Sequence, residues 1–350
     1  MKKRGKQFIF ILIAIGILLG TSNISVMAKS SDSVSNPKHY CTRKHDDSDT
    51  TKWSYIYFGN YPQTEVTGEA LTDAIINASY DSDDNAWVGD TKYHRIKKKD
   101  ANHKSYFGSK TYRYFKWEPI KWRVLKSEGD TLFVISDKAL DCREYNDKYK
   151  KVTWRTCTLR KWLNNTFYET AFLKKEQSAI VAKKVDNLNN QSYNTKGGKD
   201  TSDKIYLLSI AEVVSEEYGF CGTYSTSSVS RRMATTDFAH AMGAGANGSK
   251  FEENCIWWLR SPGRLSNCAA SIDYYGYTYR TGYSVDFKAA GVVPVVHIKK
   301  SSPNWSKKPQ DVVIKKEDEK AHEIRVNESK TLETLSVDSK IRRNYQKKEN

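Results

Sequence analysis

The sequence predicts an α+β fold in which strands from both ends of the central region share one sheet and short helices and long ordered loops lie between them. Three observations predict it. Residues 55–59, 115–125 and 131–136 alternate apolar with polar side chains or run β-branched and aromatic, as strands do. From residue 156 the spacing changes: Leu159, Trp162, Leu163 and Phe167 recur every three to four residues. Residues 255–298 then return to period 2, alternating aromatic and polar residues up to Gly291-Val292-Val293-Pro294-Val295-Val296.

The ends of the chain lie outside this pattern. Residues 1–28 carry Lys2, Lys3, Arg4 and Lys6, an apolar run from Phe8 to Leu19 and Val26-Met27-Ala28. A basic start, an apolar run too short to span a bilayer and a small-residue cleavage site describe a secretory signal peptide. Residues 29–52, with Ser30-Ser31-Asp32-Ser33 and Asp46-Asp47-Ser48-Asp49, read as a flexible linker, and residues 53–300 as one domain. Residues 301–350 are rich in Lys, Glu, Asp and Ser and carry too little apolar surface to offset ordering, so a disordered charged tail is expected. The expected product is secreted or held at the cell surface.

Within the domain, Tyr55-Ile56-Tyr57-Phe58-Gly59 is a strand ended by a turn through Pro62. Pro119, which cannot donate to a ladder, marks an edge or a bulge in the strand at 115–125. Thr156 or Thr158 is placed to cap the helix carrying Leu159 and Phe167. Residues 174–185 predict a second helix with Ile180 and Val181 inward, and residues 186–203 a long polar surface loop. Ile205 to Leu208 is a buried strand, and Ser209-Ile210-Ala211-Glu212 has the form of a capping box opening a short helix. A last helix over 231–242 presents Ala234, Phe238 and Met242 on one side and stops at Gly243.

The formal charge is +16, or about +12 without the four basic residues of the signal peptide. A basic exported protein is drawn to anionic polymers such as those of a cell envelope. Nucleic acid is not expected as a partner: the lysines are scattered, no nucleic-acid motif is present, and export separates the two. The six cysteines allow many pairings. The two local ones, Cys142 with Cys157 and Cys255 with Cys268, would each close a short loop, leaving Cys41 and Cys221 paired or free. No metal-ligand spacing and no cofactor motif accompanies them.

Four blocks occur in order: Tyr57-Phe58-Gly59-x-Tyr61-Pro62-Gln63-Thr64, Pro119-Ile120-x-Trp122-Arg123-Val124-Leu125, Cys157-Thr158-Leu159-Arg160-x-Trp162-Leu163-Asn164 and Trp257-Trp258-Leu259-Arg260-Ser261-Pro262-Gly263. Together they resemble a family of exported bacterial domains of unknown function. The closing Trp-Trp block, tyrosine-rich strands and Gly-Val-x-Pro-Val end also look like the C-terminal half of the C-type-lectin-like fold. That fold serves sugar-binding lectins, formylglycine-generating enzymes and the variable receptors of diversity-generating retroelements. The resemblance implies a C-type-lectin-like mixed sheet, with no assigned activity. The calcium-binding loop of the lectins is missing, Glu252-Glu253-Asn254 being the nearest acidic cluster. Cys255 and Cys268 are too far apart for the copper site of the generating enzymes.

No set of residues stands out as catalytic. Cys221 and His240 offer a nucleophile and a base, and show no spacing that favours chemistry. The expected function is non-catalytic recognition of a cell-wall or host glycan through Trp258, Arg260, Tyr275, Tyr277, Tyr279, Arg280 and Tyr283. Aromatic rings stack on the apolar faces of sugars, and arginine clamps carboxylates or phosphates. Of the tryptophan pair, Trp257 is expected to point inward, into a core with Trp122 and Trp162. The alternatives are a protein-binding display surface like the retroelement receptors, and an enzyme of unidentified class.

Overall fold

A computed structural model describes residues 34–42, 49–245 and 254–319; the expected signal peptide, Glu252-Glu253 and residues 320–350 lie outside the described residues. The architecture is α+β. Its organising element is the 17-residue strand Tyr112–Glu128. Tyr55–Glu65 pairs along one edge of it, and Thr91–Lys97 and Thr131–Ser136 along the other. Val295–Lys299 lies antiparallel to Thr131–Ser136, with Ile205–Tyr206 beyond it, so early and late strands meet in one seven-stranded sheet. A second sheet of five strands runs in the order Thr278–Ser284, Cys268–Ile272, Trp257–Pro262, Gly291–Val292, Asp141–Cys142. Among the described residues no helix is long and apolar enough to cross a membrane.

Tyr55–Glu65 continues through Pro62, where the sequence predicts a turn. A bulge explains this: Tyr57 faces Lys121 and Asn60 faces Pro119, so Phe58 and Gly59 together oppose Ile120. Gly59 has φ of +70°, and a Cβ there would lie 2.6 Å from the Ala171 carbonyl. The bulge therefore absorbs Pro119, keeps Phe58 buried against Phe172 and lets the strand continue.

The helix with Leu159, Leu163 and Phe167 buried spans residues 158–171, with a π-turn over Leu163–Phe167. Its N-cap is Cys157, whose Sγ accepts from the Arg160 amide at 3.4 Å, in place of either threonine. The helix expected over 174–185 ends after one turn, Lys174–Gln177. Sheet backbone captures the rest: Ile180 bridges Ile298, Val181 N donates to His297 O at 2.8 Å, and Lys183–Val185 pairs with Thr201–Asp203. The last helix begins at Asp237, capped by Thr236 Oγ1. Residues 234 and 235 are extended instead, bridging Asn254 and Ala139.

Among the described residues, parts of the segment read as a linker and the first residues of the expected tail pack on the domain. Lys38–Tyr40 pairs with Thr50–Lys52, and Cys41 is bonded to Cys221 with Cα atoms 5.4 Å apart. Residues 301–319 wrap back: Ser306 and Tyr57 exchange backbone hydrogen bonds, Trp305 is buried, and Asn60 Nδ2 donates to Val312 O at 2.8 Å.

The expected bridges Cys142–Cys157 and Cys255–Cys268 are not formed, and all four cysteines are free. Strand register gives the reason. In the hairpin, Trp257 faces Ile272 and Pro262 faces Ala269, so Cys268 sits near the turn and Cys255 beyond the open end. Cys142 pairs with Gly291 in the second sheet, while Cys157 is committed to capping the helix. A disulfide fits an oxidising compartment.

The bridge that does form spans 180 residues. Replacing Cys41 and Cys221 by serine is expected to lower unfolding free energy by roughly 2–5 kcal/mol, measured by urea denaturation.

A second expectation concerns acid. His297 stacks 4.4 Å from Phe133 and its Nε2 lies 2.9 Å from the Tyr206 hydroxyl; burial pushes its pKa down to about 3. As pH falls below the ordinary histidine value the unfolded chain takes up a proton that the native state refuses, so stability falls between about pH 6.5 and 3. His297→Phe should make the stability-versus-pH curve shallower by about 1.4 kcal/mol per pH unit over the middle of that window.

Candidate functional site

The strand Thr278–Ser284, paired among the described residues only with Cys268–Ile272, and the turn before it carry Tyr275, Tyr277 and Tyr279. Asp273 builds the turn: its Oδ1 accepts from the Tyr275 and Tyr277 amides, each at 2.9 Å, and its carbonyl accepts from Gly276 N. Gly276 has φ of +85°, and a Cβ would lie 2.2 Å from Ser228 O, so only glycine fits. The buried Arg231 Nε donates to Gly276 O at 2.8 Å. On this pinned turn and the strand after it, Tyr275, Tyr277 and Tyr279 remain 37%, 44% and 40% exposed.

A bulge follows, where residues 280–282 oppose the single Ala270. It sets the Tyr279 and Tyr283 rings 5.0 Å apart, and Tyr283 stacks on Phe287 at 4.6 Å. Phe287 meets Trp258 edge-on at 6.3 Å, and Trp258 meets Tyr145 at 5.7 Å. An aromatic column thus runs from the exposed rim into the core.

Beside the rim lies a narrow cleft of about 40 Å³ lined by Leu188, Asn190, Ser192, Ile210, Tyr224 and Arg280 among others. Asn190 Nδ2 donates to Pro262 O and Arg280 O, both at 2.9 Å, fastening the loop to the strand. Arg280 donates to Ser192 Oγ, and its guanidinium lies 5.5 Å over the Tyr224 ring.

Tyr275, Tyr277, Tyr279, Tyr283 and Arg280 are therefore brought to one region. Trp258 and Arg260 are not. Trp258 is fully buried and its Nε1 donates to Arg143 O at 2.9 Å; like Trp257 and Trp122 it is core, whereas Trp162 is half-buried. Arg260 is 7% exposed, ion-paired to Glu212 and donating to Leu207 O at 3.0 Å. Their strand lies inside the second sheet, where both faces are covered, so alternation does not separate inside from outside. Glu212 also accepts from Ser209 N at 2.7 Å, closing the expected capping box.

Sequence reading missed the cleft. Its loop, 186–203, was legible only as polar, and Leu188, Asn190 and Tyr193 carry no pattern of their own. The bond from Cys221 to Cys41 removes it as a nucleophile. His240 packs edge-on against His103 and Tyr106 at 4.8 and 4.9 Å. Among the described residues no three His, Cys, Asp or Glu side chains gather to hold a metal ion.

A family model for a domain of unknown function, DUF6273, matches residues 129–300. Those residues include the long helix, the cleft loop and the whole tyrosine rim, but not the Tyr57–Thr64 block. No curated protein and no solved structure matches the chain.

The two arginines should separate under mutation. Arg260→Ala, which strands Glu212, is expected to cost about 3–5 kcal/mol. Arg280→Ala, at the surface, should change stability by less than about 1 kcal/mol. Chemical denaturation of both variants checks the contrast.

Proposed function

We propose that this chain is an exported, non-catalytic recognition module that binds a cell-envelope or host glycan at the tyrosine rim and its cleft. The observation that carries the reading is the set of three exposed tyrosines on a turn, pinned from behind by side-chain and backbone hydrogen bonds, and on the strand that follows it. Rings fixed before binding lose little entropy on contact, and their faces suit the C–H surfaces of sugars. Asn189, Gln191, Ser192 and the tyrosine hydroxyls supply donors and acceptors for sugar hydroxyls, while Arg280 suits the carboxylate or phosphate of an anionic polymer. The net charge, about +12 without the signal peptide's four basic residues, favours the same class of partner.

The reading includes secretion, supported by the signal-peptide pattern and the disulfide. It also includes a C-type-lectin-like relationship, supported by the meeting of early and late strands in one sheet and by the ordered loops beside the second. A protein partner would meet the same rim and is an outcome of the test.

The experiment is binding of the mature chain to a glycan array and to isolated cell walls at low and high salt, beside a Tyr277→Ala/Tyr279→Ala variant. Salt-resistant binding that falls at least tenfold in the variant is expected. Binding that salt abolishes and the variant retains contradicts the reading, and capture of a protein with no glycan binding turns it to the display alternative.

A further inference from the structure

A second cavity, of about 380 Å³, is lined by the Tyr55–Glu65, Thr91–Lys97 and Tyr112–Glu128 strands and by the helices of residues 158–171 and Asp237–Met242. Two of the four sequence blocks converge here, Tyr61-Pro62 in its wall and Trp162 beneath one of its arginines. The tyrosine rim uses neither.

Arg143 is held from two sides. Its Nε lies 3.4 Å from Asp141 Oδ2, and its guanidinium lies 4.2 Å over the Trp162 ring. Asp141 is fully buried and is itself fixed by the Tyr61 hydroxyl and the Cys142 amide, each donating at 2.7 Å. The two terminal nitrogens of Arg143 donate to no protein atom among the described residues, and its side chain is 40% exposed. A guanidinium so oriented, with its fork open, matches a carboxylate.

His94 supplies an acceptor. Asn85 Oδ1 accepts from Trp117 Nε1 at 3.0 Å, which fixes the orientation of that amide, and the same oxygen lies 3.0 Å from His94 Nδ1. The imidazole proton must therefore sit on Nδ1, leaving Nε2 as an acceptor. Burial holds the ring neutral, its pKa pushed down to about 4.

The charges in the lining come in pairs. Arg95 binds Asp84 at 2.7 Å and Arg143 meets Asp141, while Asp100 lies 3.5 Å from Lys99. Asp83 and Lys97 remain without an opposite charge in contact among the described residues. One acid and one base are left over. A ligand of single sign would unbalance such a wall, whereas one carrying both signs would complete it.

We infer that this cavity binds a small zwitterion, an amino acid or dipeptide, with its carboxylate on the Arg143 fork and its ammonium toward Asp83 and His94 Nε2. A volume of about 380 Å³ accommodates a ligand of that size. The inference stands apart from the rim, and the Tyr277→Ala/Tyr279→Ala variant should bind the zwitterion as the parent does.

The test is calorimetric titration of the mature chain with free amino acids and dipeptides, each beside its C-terminal amide and its N-acetyl derivative. Arg143→Met keeps the stem over Trp162 and removes the fork; Asp83→Asn alters an exposed side chain and leaves the fold intact. At least one free zwitterion should bind with Kd below about 1 mM, and either blocking group or either variant should weaken it at least tenfold. Equal binding of a blocked ligand, or full binding in Asp83→Asn and a folded Arg143→Met, overturns the inference. So does the absence of binding by every zwitterion to the folded parent chain.

Discussion

One buried cation, Arg231, holds together the parts on which the proposed surface depends. Its side chain is fully enclosed and, among the described residues, has no carboxylate in hydrogen-bond contact; Nε donates to Gly276 O, Nη1 to Cys221 O at 2.9 Å and Nη2 to Thr226 O. Its own carbonyl accepts from Trp257 Nε1 at 3.1 Å. Removing a charge from water costs several kcal/mol, and here three carbonyl dipoles offset that cost. Burial still pulls its pKa down to about 10, against the pull of Asp273 and Asp49. The disulfide loop, the Ser228 loop, the Trp257 strand and the tyrosine turn are thus tied at one point, and none can move without exposing a charge to an incomplete shell.

The rim follows from that tie. Arg231 and Ser228 back the turn, Asp273 closes it from within, and the column from Tyr279 through Tyr283 and Phe287 to Trp258 carries the packing of the core to the surface. Exposed aromatic rings on a loose loop would lose contact area to motion and affinity to ordering. On this support the backbone that carries them is fixed before any ligand arrives. Asn190 extends the same rigidity to the neighbouring loop, which is why the cleft and the rim form one continuous surface.

The α+β class and most strand positions were legible because hydrophobic period survives in sequence. So were the long helix and the exposure of Tyr275, Tyr277 and Tyr279. What failed depended on neighbours. Trp258 and Arg260 read as surface residues because alternation presumes a sheet with one wet face, and their strand has none. The helix expected over 174–185 lost its last turns to Ile298 and His297, residues more than a hundred positions away. Short loops made the local cysteine pairs attractive, but register put each pair apart and brought Cys41 to Cys221. The ordered strap at 301–319 rests on Trp305 and on Asn60, a residue whose role in holding it has no local signature.

The central claim is that the pinned tyrosine rim is where the ligand sits. Hydrogen exchange of the backbone amides, with and without isolated cell-wall glycan, tests it most directly. The account predicts added protection at residues 273–283 and 188–192 with the sheet interior unchanged; protection confined to other surfaces, or none at the rim while glycan is bound, would contradict it.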